Sequence, residues 1–307
     1  ICPIADNLAT ALVMGAIVVL AGRAAPSFVP LACISVVVAA NAGGTFSPFG
    51  DITTLMVWQA GMVQFFDFFS LFLPLLASFL IPALIMSFAV PKGAPPPSSE
   101  VVRMKPGALW VILLFALTIG TAFVFQHFFA FPAAAGMMFG LGYLKCFRFF
   151  RARKATEPNP TALNSHREIA RIEWDTLLFF YGVVMCIGGL SLIGVIGNIS
   201  GALYGSLGAH SANIAIGVIS EVLDNIPLML AVITADPHMG LGDWLLLTST
   251  TGIGGSLLSI GSAAGIALMG LARGQYTFLA LIKWLWAVAL GYGAAVALHL
   301  FINAAEI

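Results

Sequence analysis

Long, uninterrupted runs of apolar residues decide what this chain can fold into. A helix needs roughly 20 apolar residues to cross a lipid bilayer, and five runs approach that length, at residues 65–90, 106–129, 132–149, 174–196 and 276–302. Hydrophobic residues make up 60% of the 307 positions and charged residues only 8%, too few to coat a water-soluble protein. We therefore expect an all-α membrane protein.

Four further apolar pieces are too short to span, and each lies beside a polar or glycine-rich interruption. They cover residues 8–21, 27–40, 212–219 and 227–235. Non-helical backbone at membrane depth is tolerated only where it is buried in protein or lines a cavity. The interruptions therefore predict two re-entrant hairpins and two broken helices, as in many transporters.

The interruptions form a pair that the chain repeats. The Asp-Asn motif at residues 6–7 recurs at residues 224–225, and the glycine-rich residues 42–51 recur as residues 253–262. Two motifs repeated in the same order indicate an internal repeat. Because an odd number of crossings separates equivalent points, we expect the two repeats to be inverted.

This repeat predicts the domain organisation. Residues 1–90 form the C-terminal part of the first repeat, residues 91–106 a Pro- and Ser-rich linker, and residues 107–307 the second repeat. By symmetry with the second repeat, the first repeat is truncated on its N-terminal side. We expect roughly a hundred or more residues upstream, which would form the N-terminal portion of the first repeat.

The distribution of charge agrees with this topology. If the linker at residues 145–173 is cytoplasmic, twelve of the 13 Lys and Arg residues lie on the cytoplasmic side, as the positive-inside rule expects. Lys283 alone falls within a span, where its side chain can extend to the membrane surface. The net charge is zero, so no basic field favours nucleic acid.

Three segments resemble one transporter family. They are Pro-Ile-Ala-Asp-Asn at residues 3–7, residues 40–58 with the core Asn-Ala-Gly-Gly-Thr-Phe-Ser-Pro-Phe-Gly-Asp, and Ser-Glu-Val-Leu-Asp-Asn-Ile-Pro at residues 220–227. They resemble the NhaD-type sodium/proton antiporters of the ion transporter superfamily over essentially the whole chain. The resemblance implies exchange of Na⁺ or Li⁺ for H⁺ by alternating access, a role in pH homeostasis, and a bacterial inner membrane. It implies neither enzyme activity nor a cofactor, and it leaves open whether the protein forms a homodimer.

The chemistry of the repeated motifs suits a dehydrated cation, which needs several oxygen ligands. A carboxylate within the membrane is costly unless a cation or a proton neutralises it, and that competition is what antiport requires. We expect Asp6 and Asp224 to be the principal acids and to hold Na⁺, with Glu221, Glu173 and Asp175 as secondary candidates. The other expected cation- or proton-binding residues are Asn7, Asn41, Asp51, Thr53, Thr54, Ser220, Asn225, Ser259 and Ser262.

Structural roles are open alternatives for these residues. An Asp or Asn at a helix start is often an N-cap. A Thr hydroxyl can bond to its own helix backbone, and Ser permits close helix packing.

Two other functions are also open. One is transport of an oxyanion or a dicarboxylate by a member of the same superfamily, although an acid at each hairpin tip would repel an anion. The other is an intramembrane aspartyl protease, because Gly-Leu-Gly-Asp occurs at residues 240–243. That chemistry needs a second Asp in an earlier span, and none is found, so Asp243 is expected to be a helix cap.

Overall fold

The computed structural model describes residues 2–22, 25–91, 107–129, 131–154, 174–259 and 261–303. Every regular element in these ranges is a helix, which confirms the all-α prediction. Six helical segments are long and apolar enough to cross a membrane: Phe28–Thr45, Asp67–Ser87, Ala108–Phe128, Val195–Ile219, Leu241–Ala272 and Phe278–Ile302. The protein is therefore an integral, multi-pass membrane protein.

The N-terminal helices are separated by two breaks. They are α1 (Cys2–Ala5), α2 (Asn7–Ala21), α3 (Phe28–Thr45), α4 (Ile52–Gln59) and α5 (Phe72–Ser87), with a 3₁₀ helix (Asp67–Leu71) before α5. The first break is at Asp6, whose φ of 57° turns the backbone between α1 and α2. The second lies between α3 and α4, where Asp51 caps the new helix by accepting the Thr53 N–H.

Two breaks also occur among the remaining helices. They are α6 (Ala108–Phe128), α7 (Ala133–Lys154), α8 (Trp174–Leu192), α9 (Val195–Ile219), α10 (Asn225–Ala235), α11 (Leu241–Leu258), α12 (Ala263–Ala272) and α13 (Phe278–Ile302). Asp224 is the N-cap of α10, and Ser262 is the N-cap of α12. Thus the Asp-Asn motifs begin α2 and α10, and the glycine-rich motifs interrupt α3–α4 and α11–α12.

The chain divides into two compact units. Ser98–Gly182 forms one of them, and Ile1–Pro97 together with Val183–Ile307 forms the other. In the smaller unit, α6 packs against α7. The two helices approach closely at Gly136, where an added Cβ would lie only 2.6 Å from the backbone nitrogen of Ala122. The lack of a side chain at this glycine permits the contact.

The larger unit is built around α11. Every residue from Gly242 to Leu257 of this helix is buried, so α11 has no exposed face. It packs against α3, α9 and α13, while α4 packs on α10, α12 on α2, and α13 on α5. Helices α1–α5 and helices α9–α13, the two halves of the larger unit, thus contact each other through the helices on either side of the breaks.

Several helix boundaries differ from the sequence-based predictions. The piece at residues 27–40 was predicted to be too short to span, and this is wrong, because α3 continues to Thr45 and is one of the six candidate spans. The piece predicted at residues 212–219 is the end of the longer α9, which is kinked at Gly208 (φ 75°, ψ 165°). α7 runs past residue 149 to Lys154, and its basic C-terminal part keeps it out of the six candidate spans. α8 ends at Leu192, four residues before the predicted end of that span. Most of the two predicted linkers, residues 92–106 and 155–173, lies outside the described residues.

Candidate functional site

Asp51 lies at the centre of a buried polar cluster in the larger unit. Its side chain is in the break between α3 and α4, and the residue is only 6% exposed. Oδ1 accepts the Thr53 N–H at 3.3 Å. Oδ2 accepts Nδ2 of Asn7 at 3.1 Å and Nδ2 of Asn225 at 3.4 Å. The asparagines of both Asp-Asn motifs therefore meet on one carboxylate oxygen.

Asn41 connects this carboxylate group to the second broken helix. Its Oδ1 accepts Nδ2 of Asn7 at 3.4 Å and the hydroxyl of Ser262 at 3.1 Å. Its Nδ2 donates to Oγ of Ser256 at 2.9 Å. Asn41 is 1% exposed, and its partners Asn7, Ser256 and Ser262 are also buried. The cluster therefore joins four helix breaks through side-chain hydrogen bonds.

Asp6 and Asp224 are at the edge of the cluster and act as helix caps. Oδ2 of Asp6 accepts the Ala9 N–H at 3.4 Å, and Oδ1 of Asp224 accepts the Ile226 N–H at 3.5 Å. Both residues are partly exposed, unlike Asp51. Their charges nevertheless interact with that of Asp51. Three carboxylates thus share one region, and only Asp51 is fully buried there.

Two of the candidate hydroxyl groups donate hydrogen bonds to nearby backbone carbonyl oxygens. Thr54 donates to the carbonyl oxygens of Ser47 at 2.9 Å and Asp51 at 2.7 Å. Ser220 donates to the carbonyl oxygen of Gly217 at 2.7 Å. These bonds hold the breaks in shape, which is the structural alternative for such residues.

Thr53 and Ser259 differ from these two. The hydroxyl oxygen of Thr53 is buried and has no hydrogen-bond partner within the described ranges. This oxygen can therefore accept a further hydrogen bond or bind a cation. The hydroxyl of Ser259, in the break between α11 and α12, pairs with the Tyr276 hydroxyl at 3.0 Å.

The secondary candidates lie outside the cluster or outside the described chain. The backbone oxygen of Glu221 accepts the Gly261 N–H at 3.0 Å, which ties one motif to the other. Asp175 is exposed in the first turn of α8, within the smaller unit. Glu173 lies outside the described residues.

Ser256 belongs to the cluster and was missed by the analysis of the sequence. A signal for it exists, because Ser256 corresponds to Thr45 when residues 42–51 are aligned with 253–262. The prediction that Asp243 caps a helix is wrong. Gly240 is the N-cap of α11, and Asp243 is buried in the first turn, where its Oδ1 has no hydrogen-bond partner among the described residues.

Comparison with known proteins adds an independent observation. A family model described as a citrate transporter matches residues 1–252. The Na(+)/H(+) antiporter NhaD of Vibrio cholerae is 52% identical over 99% of this chain and 68% of its own length. The protein of the same name from Vibrio parahaemolyticus is 51% identical, over 95% of this chain and 76% of its own. Sodium/proton antiporter 1 of Arabidopsis thaliana is 31% identical over 87% of this chain and 48% of its own length.

Proposed function

Because the chain belongs to the NhaD family of sodium/proton antiporters, we propose that it exchanges Na⁺ for H⁺ at the buried cluster around Asp51. It is a transporter of the ion transporter superfamily and not an enzyme. The observation that carries the choice of site is the convergence of Asn7 and Asn225 on one oxygen of a buried carboxylate. Li⁺ is a second cation of suitable chemistry.

A buried carboxylate explains how one site serves two ions. An unpaired negative charge is expensive in a membrane-embedded interior, so Asp51 must hold a proton, a cation or several hydrogen-bond donors. In the structure the two asparagine amides are those donors. When Na⁺ binds, each amide can rotate to offer its oxygen, since an amide carries both a donor and an acceptor. Na⁺ and H⁺ then compete for Asp51.

Several oxygen atoms near Asp51 are suited to complete the shell of a cation. The free hydroxyl of Thr53 is in the first turn of the helix that Asp51 caps. The amide oxygens of Asn7, Asn41 and Asn225 are neutral, and dehydrated Na⁺ binds such oxygens together with a carboxylate. We include Thr54, Ser220, Ser259 and Ser262 as residues that shape the breaks around this shell.

Asp6 and Asp224 supply the surrounding negative charge. One sits at each hairpin tip, and both interact electrostatically with Asp51. Three carboxylates attract a cation and repel an anion at short range. This argues against citrate or another carboxylate as the substrate, although the matching family model carries that description.

We also propose that the two halves of the larger unit are inverted repeats. Asn41 corresponds to Gly252 and Thr45 to Ser256 when the glycine-rich motifs are aligned. Asn41 bonds to Ser256, and Thr45 packs against Gly252. Such an exchange of partners is what a twofold axis produces. The packing of α4 on α10 and of α2 on α12 supports the same relation.

The proposed function is tested by exchange in membrane vesicles. Addition of Na⁺ should cause proton flux with the unchanged protein and none with Asp51→Asn, because Asn keeps the shape but cannot exchange a proton for a cation. Asp67→Asn is the matched control, since the Asp67 carboxylate accepts the Gln64 N–H in a connection outside the cluster. Proton flux driven by citrate and not by Na⁺, or full exchange in Asp51→Asn, would overturn the proposal.

A further inference from the structure

A pair of hydroxyl groups joins the second helix break to the connection before α13. Oγ of Ser259, in the break between α11 and α12, lies 3.0 Å from the hydroxyl oxygen of Tyr276, and either atom can be the donor. Ser259 is completely buried, and Tyr276 is 1% exposed. In the part of the chain that the structure describes, this is the only hydrogen bond of the Tyr276 hydroxyl. Removal of either hydroxyl would therefore leave a buried polar group without its partner.

Ser259 has a backbone conformation that its surroundings must maintain. Its φ is 55° and its ψ is 1°, in the left-handed region that is unfavourable for a residue with a side chain. A residue stays in such a conformation only where neighbouring groups hold it there. The Tyr276 hydroxyl holds the side chain, and α12 packs so closely that a Cβ added to Gly265 would lie 2.5 Å from Cβ of Ser259. The break is therefore fixed partly by Tyr276.

The conformation of Ser259 affects where the next helix begins. Ser262, three residues further on, is the N-cap of α12, and its hydroxyl donates to Oδ1 of Asn41 at 3.1 Å. The same oxygen of Asn41 accepts Nδ2 of Asn7, which also donates to Asp51. A change at Ser259 is therefore transmitted to the ion cluster through the position of Ser262.

The internal repeat offers a comparison for this hydroxyl pair. The alignment of the glycine-rich motifs continues to the next helix without a gap, because the same number of residues separates the two N-caps in each half. In this alignment Ser259 corresponds to Pro48 and Tyr276 to Phe65, so both hydroxyls are absent from the first half. There the Phe65 ring packs against Phe49, beside Pro48, with the ring centroids 6.2 Å apart. An aromatic residue thus contacts the break in each half, and two polar residues replace two apolar ones in the second half, which indicates that they act together.

We propose that Tyr276 is a positioning residue for cation binding, which keeps Ser259 in the conformation from which α12 begins. The hydroxyl of Ser262 then stays directed to Asn41, and the cluster is formed before a cation arrives. Without the Tyr276 hydroxyl, the break populates other conformations, and only a fraction of the molecules has the cluster formed. The apparent affinity for Na⁺ falls by that fraction. This step rests on the proposed function, which supplies the cation.

The first test is Tyr276→Phe, which removes only the hydroxyl. The apparent Na⁺ constant of exchange should rise about three- to tenfold, as expected for the loss of one hydrogen bond. The maximal rate at saturating Na⁺ should stay close to that of the unchanged protein, because Na⁺ selects the formed cluster. Exchange in vesicles over a series of Na⁺ concentrations, at matched amounts of protein, separates the two quantities. A merely structural role would lower the amount of folded protein and the maximal rate and leave the constant unchanged, and this result would overturn the proposal.

The matched control is Tyr292→Phe. Tyr292 is also a buried tyrosine, on α13, and its hydroxyl donates to the carbonyl oxygen of Ile214 at 3.2 Å, away from both broken helices. The same atom is removed and a hydrogen bond of the same kind is lost, so the Na⁺ constant should stay as it is in the unchanged protein. An equal rise of the constant in Tyr292→Phe and Tyr276→Phe would overturn the specific role of Tyr276.

Replacements of Ser259 test how Tyr276 acts. Ser259→Ala lacks the hydroxyl and keeps the strained conformation, so it should raise the Na⁺ constant as Tyr276→Phe does, and the double variant should raise it no further. Glycine adopts a φ of 55° without strain, so Ser259→Gly should bring the constant of Tyr276→Phe back towards that of the unchanged protein. Effects of Tyr276→Phe and Ser259→Ala that multiply, or no recovery with Ser259→Gly, would overturn the proposal.

A second readout does not depend on transport. Na⁺ that binds the folded protein raises its thermal unfolding midpoint. The Na⁺ concentration needed for a given rise should be higher in Tyr276→Phe by the same factor as the exchange constant, and unchanged in Tyr292→Phe. Equal Na⁺ dependence of all three proteins would overturn the role of Tyr276 and leave the proposed function intact. Absence of Na⁺-driven flux in the unchanged protein would instead overturn the proposed function, and the role in cation binding with it.

Discussion

Asp51 differs from Asp6 and Asp224 in the hydrogen bonds that its carboxylate oxygens accept. Asp6 and Asp224 each use an oxygen to cap a helix and remain partly exposed. Asp51 also caps a helix, but its second oxygen receives an amide from each half of the larger unit. The buried residue is therefore the one whose charge must be compensated in every state. The tips add charge around it.

Replacement of a tip carboxylate should weaken cation binding and leave the fold intact. Asp6→Asn and Asp224→Asn should each raise the apparent Na⁺ constant about tenfold or more, because one negative charge near the cation is lost. Asn is as good an N-cap as Asp, so the unfolding midpoint should change little. Exchange in vesicles at matched protein amounts measures the first effect. An unchanged Na⁺ constant in both variants would show that the tips do not contribute to the site.

The residues of the cluster could be predicted from the sequence to the extent that a repeated motif contained them. Asn7, Asn41, Asp51 and Asn225 are in such motifs, and they meet in the structure. Which carboxylate is buried could not be predicted, because burial depends on how the two halves pack. Ser256 was missed because nothing in its own segment distinguishes it from a serine at a helix contact.

The helix breaks depend on very close backbone contacts. Asn7 donates its backbone N–H to the carbonyl oxygen of Gly50 at 3.0 Å, and Gly261 donates its own N–H to the carbonyl oxygen of Glu221 at 3.0 Å. Gly50 and Gly261 are equivalent positions of the repeated motif. Each glycine thus ties a broken helix to the adjacent Asp-Asn motif, and neither position has space for a side chain.

A methyl group at Gly261 should separate the segment before Asp224 from the broken helix. In Gly261→Ala the new Cβ would overlap the backbone oxygen of Ser220, which cannot move without displacing the break. We expect loss of exchange and destabilisation by roughly 1–3 kcal/mol. Gly270→Ala is the control, since its added Cβ has no described atom within 4 Å apart from the adjacent residues and backbone of its own helix. Thermal unfolding and vesicle exchange measure both effects, and wild-type behaviour of Gly261→Ala would contradict the role given to this contact.

At the level of helices, the sequence predicts long apolar spans better than irregular ones. The runs at residues 106–129 and 276–302 coincide with α6 and α13 to within two residues at each end. The first part of α9 was not predicted, because its many Gly, Ser and Asn residues interrupt the apolar pattern on which the prediction depends. Its kink follows from the non-helical conformation of Gly208.

The proposed function requires that the site be reached from both sides of the membrane in turn. Two inverted halves with one shared cluster are suited to this, since each half can take the conformation of the other. The broken helix Leu241–Ala272 then crosses the membrane with its break at the site. Its two ends should therefore be on opposite sides of the membrane.

The orientation of this broken helix can be measured by labelling of single cysteines. His238 and Gln275 are both exposed and flank the two ends of the segment. In a background without the four native cysteines, His238→Cys should react with an impermeant reagent only from outside, and Gln275→Cys only from the cytoplasm. Arg273 beside Gln275 supports that assignment, because basic residues favour the cytoplasmic side. Labelling of both from one side would contradict the inverted arrangement.

The most direct measurement of the central claim is proton release on Na⁺ binding. If Na⁺ and H⁺ compete for Asp51, addition of NaCl to the purified protein in a weakly buffered solution should acidify the medium, and choline chloride should not. Asp67→Asn should release protons like the unchanged protein, and Asp51→Asn should release none. Equal release in Asp51→Asn, or Na⁺ binding to the unchanged protein without proton release, would contradict competition at this carboxylate.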